Sequence, residues 1–230
     1  MDLTINPAAI NFIIGQSGGG KSVLLKHLVG LMKPDQGEIW YDDRQMAGAD
    51  TKQWALLRLK MALLFQDGAL FDSMSVGQNV AFPLWFHGRA GKEKAAALAR
   101  ERLAELDMDR AFDYRTGDLS AGERKRAALA RALIMEPEIL FFDEPTTGLD
   151  PLLSEQVDDL IMLTLHRTQA TVVVVSHDIP ATLTLAHNIN MIHDGRIILS
   201  GPPEVFTKSA DPVVKQFLAG EAEGPIGFLD

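Results

Sequence analysis

GQSGGGKS, residues 15–22, is the stretch that decides the fold. It satisfies G-x-x-x-x-G-K-[ST] in full, from Gly15 through Gly20 to Lys21 and Ser22. An apolar run at 10–14 precedes it and a helix-like stretch at 21–31 follows. Strand, loop and helix in that order are the setting the motif needs. The backbone of Gly15, Gln16, Ser17, Gly18, Gly19, Gly20 and Val23 can turn successive N–H groups toward one anion, with a helix N-terminus behind them. Lys21 adds a point charge for the outer phosphates, and the Ser22 hydroxyl can ligate magnesium. A glycine-rich turn without a ligand is the alternative, and the flanking elements weigh against it.

The surrounding chain fits one large α/β domain, or one core with a smaller helical insertion. Its 230 residues are 47% hydrophobic and 23% charged, enough for a core in a soluble protein. Apolar runs stay short of the ~18 residues that span a bilayer, so direct membrane insertion is not expected. The start, MDLTINPAAI, has an acid and no basic region, unlike a signal peptide. The absence of cysteine excludes disulfides, thiolate metal sites and iron–sulfur clusters, and suits a reducing cytoplasm. A net charge of −9 repels nucleic acid and anionic headgroups. Work at a membrane then requires a protein partner, although the acidity also serves plain solubility.

Short apolar runs at 10–14, 61–65, 139–142, 171–175, 190–192 and 196–199 alternate with helix-period stretches. That pattern predicts a largely parallel sheet flanked by helices. Residues 38–41, after a turn at 34–37, read as a more exposed antiparallel strand. The middle, 66–119, has a different texture, with an amphipathic helix expected over 92–106. Before it, Phe71, Phe82, Trp85 and Phe86 stand close together, either as a local core or as a surface for a partner.

The segment ILFFDE, 139–144, is a buried strand ending in two acids. Ligands in open α/β sheets sit at strand ends, so Asp143 and Glu144 are expected beside the phosphate loop. Asp143 can hold magnesium through water, and Glu144 can orient and polarise an attacking water. TVVVVSHD, 171–178, delivers His177 to the same edge. Gln66 also sits at a strand end and offers an amide oxygen, though taken alone it is ambiguous. In LSAGERKR, 119–126, Ser120 is an N-cap and Glu123 completes a capping box. The cap explains the local structure but not why a second serine–glycine helix start accompanies a complete phosphate loop. A second anion site for one nucleotide makes sense if two chains share it.

In their order and spacing, these motifs resemble the ATP-binding subunits of ABC transporters across nearly the whole chain. The resemblance implies an α/β P-loop NTPase with a largely parallel core sheet, a reduced antiparallel β subdomain and an inserted helical subdomain. The core would span 1–66 and 120–219, the helical subdomain 67–119 and a tail 220–230. It implies a head-to-tail homodimer with ATP between one chain's loop and the other's Ser120, Ala121, Gly122 and Glu123. Ser120 and Gly122 would contact the γ-phosphate in trans, and 147–150, ending in Asp150, would lie across the seam. His177 would link Glu144 to the γ-phosphate, with Glu144, His177 and Lys21 catalytic. Magnesium would be held by Ser22, Gln66 and Asp143. An integral membrane permease would dock a coupling helix near Gln66, placing the chain peripherally on the cytoplasmic face of the inner membrane. Within the family, residues 12–39, 64–84 and the ending FLAGEAEGPIGF are similar to the maintenance-of-lipid-asymmetry (toluene-tolerance) ATPases, which implies phospholipid transport. The tail 220–230 reads equally as a docking segment or as disorder.

Three departures from the family pattern carry consequences. Only 14 residues precede the phosphate loop, and no aromatic residue stands before Phe12 to stack on adenine. This reads as a truncated form with an exposed sheet edge, and unless another group replaces the missing stack, affinity is expected to weaken by roughly 5- to 150-fold, from about 1–3 kcal/mol. Pro7, Ala8 and Ala9 replace the usual glycine–acid turn. Ala121 and Glu123 replace the usual glycine and glutamine, and Glu123 adds negative charge near a triphosphate. The rival readings are an ABC ATPase acting on DNA, one that gates assembly of a membrane complex, and one serving amino-acid or lipoprotein-release transport. The first calls for a coiled-coil or zinc insertion and a basic face, and the sequence shows neither.

Overall fold

The computed structural model describes residues 1–65, 68–221 and 223–227, so Gln66 lies outside the described residues. Strand β1 (Ile10–Gly15) is buried along its length and runs into α1 (Lys21–Leu28). A two-stranded antiparallel ribbon follows, β2 (Trp40–Tyr41) against β3 (Arg44–Gln45). Then come α2 (Thr51–Arg58), β4 (Met61–Leu64), α3 (Val76–Phe86), α4 (Lys92–Ala104) and α5 (Ala121–Leu133). The chain continues through β5 (Ile139–Asp143), α6 (Pro151–Thr168), β6 (Thr171–Val175) and α7 (Ile179–Leu185). It closes with β7 (Asn188–His193), β8 (Arg196–Gly201), α8 (Pro203–Thr207) and α9 (Pro212–Ala219).

Six strands form one sheet in the order β4-β5-β6-β1-β7-β8. All neighbours are parallel except β7 and β8, as the apolar runs predict. The hairpin β7–β8 turns on Asp194 and Gly195, both at positive φ, which matches the twist of the strands they join. Alternate side chains of β1, β5 and β6 feed two cores. Ile10, Phe12, Leu140, Phe142, Val172 and Val174 face α5 and α6, while Ile13, Phe141, Val173 and Val175 face Leu25 and Val29 of α1 and its C-cap. Both faces of the central strands are thus covered, which explains their unbroken apolar sequence.

Several boundaries differ from the sequence pattern for local reasons. The helix expected to reach Leu31 ends at Leu28, because Gly30 at φ 69° closes it. Gly30 N–H donates to the His27 carbonyl and Leu31 N–H to the Lys26 carbonyl, the paired bonds of a Schellman cap. A Cβ on Gly30 would come within 2.1 Å of the Trp54 ring. Tyr41 meets that ring edge-on at 6.3 Å, and its buried hydroxyl donates to the Leu28 carbonyl. The exposed strand predicted at 38–41 shrinks to Trp40–Tyr41 and pairs only with β3 among the described residues. The helix expected over 92–106 ends at Ala104. Phe82 centres the aromatic group, with Phe71, Trp85 and Phe86 rings about 5 Å away. Phe71 and Phe86 stay exposed, so the group is a core on one side and a surface on the other.

One carboxylate strains this framework. Burial, then the charges of Asp178, Asp159 and Glu155, push Asp158 on α6 up to about 6. Between the ordinary value of 3.8 and about 6 the folded chain binds more protons at this site than the unfolded chain, so this contribution to stability falls as pH rises through that window. Asp158→Asn is therefore expected to stabilise the chain by on the order of 1 kcal/mol at pH 7.5, the full shift being discounted because the group is half-exposed. The advantage should vanish below about pH 4, as paired thermal melts of the two proteins will show.

Candidate active site

Parallel register places three loops at one edge of the sheet. Ile13 and Asp143 both align with Val175, so Gly15, Glu144 and His177 emerge side by side beyond β1, β5 and β6. Two bonds lock this edge: Glu144 N–H donates to the Val175 carbonyl at 2.9 Å, and Ser176 N–H to the Ile13 carbonyl at 3.2 Å.

The phosphate loop is shaped by glycine where no other residue fits. Gly15 sits at φ 150°, where a Cβ would come within 2.3 Å of the Ile192 carbonyl oxygen. Gly20, at φ 95°, caps α1 with no side-chain bond, leaving the first N–H groups of that helix for an anion. Lys21 is buried, and its Nζ donates to the carbonyls of Gly15 at 2.9 Å and Gln16 at 3.0 Å. Burial lowers its ammonium below the usual lysine range, opposed by the charges of Glu144 and Asp143. Ser17, Ser22 and Val23 are exposed at the mouth, where ligand can reach them.

Asp143 and Glu144 have distinct surroundings. Burial, then the Glu144 charge, raises the Asp143 carboxyl, while the Ser22 hydroxyl, Lys21 and Lys26 hold it down. Its Oδ1 is buried without a hydrogen-bond partner, an arrangement that calls for a cation or ordered water. A hard divalent cation with oxygen ligands fits the Asp143 carboxylate and the Ser22 hydroxyl. Among the described residues no cluster of three His, Cys, Asp or Glu side chains is set to bind metal.

Glu144 is held at φ 50°, a conformation that costs a bulky residue energy and persists where its surroundings enforce it. Its Oε2 meets His177 Nδ1 at 2.6 Å and accepts from the Thr147 hydroxyl at 3.0 Å. Its Oε1 lies 3.9 Å from Lys21 Nζ. The carboxylate is thus fixed between an imidazole, a hydroxyl and an ammonium, aimed at the phosphate loop. Thr147, reached in the sequence only through the family resemblance, lies three residues on in the same turn.

The second helix start forms as its sequence predicts. Ser120 caps α5, and the Glu123 carboxylate accepts from the Ser120 N–H at 2.8 Å and its hydroxyl at 2.7 Å. Those bonds hold the Glu123 carboxyl below its ordinary value. Ala121 opens the helix, and Gly122 is buried, where a Cβ would come within 2.8 Å of Leu153 Cδ2. Asp150 caps α6 by accepting from Leu153 N–H at 3.0 Å, so α5 and α6 begin side by side. Gln66, the remaining sequence candidate, is outside the described residues. Two contacts have no motif to announce them. Lys125 donates to the Pro145 carbonyl beside Glu144, and Gln16 Nε2 donates to the Gly227 carbonyl at 3.3 Å.

Residues 1–147 match the ABC transporter family domain. The chain is 39% identical, over 99% of its length, to "Probable ribonucleotide transport ATP-binding protein mkl" of Mycobacterium tuberculosis, and spans 64% of that protein. It is 36% identical over 99% of its length to "Intermembrane phospholipid transport system ATP-binding protein MlaF" of Escherichia coli, covering 85% of it. Among solved structures it resembles cbiO1 from Clostridium perfringens, part of the ABC transporter complex cbiONQ. The TM-score there is 0.83 at 31% identity, over 90% of this chain and 83% of that one. It also resembles the ATP-binding cassette MJ0796 in a dimeric post-hydrolysis state bound to ADP and Pi. That match has a TM-score of 0.78 at 30% identity, over 87% of this chain and 88% of that one. With a matching domain, relatives along its length and the same fold in solved cassettes, the chain belongs to the ABC transporter family.

Proposed function

We propose that the chain is the ATP-hydrolysing subunit that energises a membrane transporter of phospholipids by ATP-driven head-to-tail dimerisation. The observation that carries this reading is the Glu144 carboxylate, fixed by His177 and Thr147 over a complete phosphate loop. Residues 15–23 cradle the triphosphate, and Lys21 neutralises charge that develops on it. Ser22, Asp143 and Gln66 would hold a magnesium ion, which would supply positive charge to offset that of the phosphates. Glu144 holds the attacking water in line and accepts its proton, while His177 Nδ1 keeps the carboxylate turned toward it. Ser120 and Gly122 of the second copy complete the pocket, with Ala121, Glu123 and Asp150 at the seam. Dimer closure driven by ATP and reset by hydrolysis supplies the work.

No helix among the described residues is long and apolar enough to cross a membrane. On this reading the partner is an integral permease, which holds the subunit at the cytoplasmic face. A groove of about 160 Å³ lined by Met61, Pro83, His87, Arg131 and Met135, between the core and the inserted helices of 67–119, suits its coupling helix. The phospholipid reading draws on the MlaF relative. A different cargo is the second reading, favoured by the name of the mycobacterial relative. Co-purification from membranes, with extraction of bound lipid, separates the two. A permease complex enriched in phospholipid supports the first, and one that transports nucleotides without bound lipid rejects it.

A further inference from the structure

The segment 223–227 is fastened by specific side-chain and backbone contacts. Gln216 on α9 is only 3% exposed. Its Oε1 accepts from Ile226 N–H at 2.7 Å, and its Nε2 donates to the carbonyls of Ile226 at 3.3 Å and Glu221 at 3.2 Å. A buried amide satisfied in this way is costly to disconnect. Ile226 is itself buried. Gly224 lies so near that a Cβ there would come within 2.4 Å of Gln216 Cδ, so a side chain at 224 is excluded while the clamp is closed.

One residue past Ile226, the Gly227 carbonyl accepts from Gln16 Nε2. Gln16 belongs to the phosphate loop, and its own carbonyl accepts from Gly19 N–H at 3.1 Å and from Lys21 Nζ at 3.0 Å. A continuous chain of bonds therefore runs from α9 through Gln216, Ile226, Gly227 and Gln16 to the ammonium inside the anion cradle. Glycine-rich loops lose much backbone freedom when they close on a ligand. A tether that orders the loop beforehand removes part of that cost from binding.

We propose that Gln216 is a positioning residue for the phosphate loop: by clamping Ile226 it fixes Gly227, and through Gln16 it preorganises the cradle around Lys21 for a nucleoside triphosphate. The inference rests on reading 15–22 as a triphosphate site. Linkage makes it reciprocal, so a bound triphosphate tightens the attachment of 223–227 by the same factor.

The test titrates ATP into the 230-residue chain, its Gln216→Leu and Gln16→Ala variants, and the double variant. Gln216→Leu is expected to raise the ATP dissociation constant about three- to tenfold, and to raise KM while kcat holds. In the Gln16→Ala background it should add nothing, since both changes break one linkage. ATP should slow proteolysis of the 223–227 segment in the parent and not in Gln16→Ala. Gly224→Val releases the segment by a second route should Gln216→Leu fail to fold. The proposal falls if the two effects add, or if the segment is cut faster while ATP affinity stays at the parent value. A parent chain that binds no ATP sinks the triphosphate reading and this inference together, a result distinct from either.

Discussion

Glu144→Gln is expected to slow ATP hydrolysis by roughly 10²–10⁴-fold, the usual contribution of a positioned general base. ATP binding should survive, because the cradle is built from backbone N–H groups, Lys21 and Ser22. The amide keeps the size of the carboxylate and one oxygen, so contact with His177 or Thr147 can persist, but it cannot accept a proton from water. With ATP bound and no hydrolysis to reset it, the protein should accumulate as a closed dimer. Light scattering after gel filtration, with and without ATP, reads this directly. Hydrolysis at the parent rate would remove Glu144 from the role assigned to it, and a strictly monomeric ATP-loaded variant would overturn the shared-site reading.

Lys21→Ala should lower ATP affinity by about 10²-fold or more, the scale of losing charge-assisted bonds to phosphate in a partly dehydrated site. The substitution also leaves the Gly15 and Gln16 carbonyls without the ammonium they now share, so the loop loses its internal support along with its charge. Calorimetric titration measures the affinity, and a thermal melt confirms that the domain still folds. Binding at the parent affinity would show that the loop amides alone hold the triphosphate.

The parts of this protein that sequence makes legible are those set by short-range pattern. Gly15 to Ser22 announce a loop because spacing and flanking elements are both local, and β5 and β6 announce themselves because strands covered on both faces are apolar throughout. Placement of Asp143 and Glu144 beside the loop follows from the strand-end rule. What sequence obscures depends on contacts between distant segments. The apolar residues Leu31 and Met32 prolong the pattern of α1, yet Gly30 ends the helix because Trp54, on another helix, closes over it. The sequence shows the strand that becomes β2 but not its partner β3, whose two residues are too few for alternation to register. Gln216 on an amphipathic helix looks like a surface residue, and only the return of Ile226 shows that it is buried. The left-handed turn at Glu144 has no sequence signal, since glutamate is not a residue that favours it.

Helix α1 joins the phosphate loop at its near end to the Tyr41 and Trp54 contacts at its far end. Eight residues make a rod of about 12 Å, anchored at one tip to the anion cradle and at the other to Tyr41 and Trp54. The exposed Trp40 is the chain neighbour of Tyr41 on that ribbon, so one short helix separates an outward-facing aromatic side chain from Lys21.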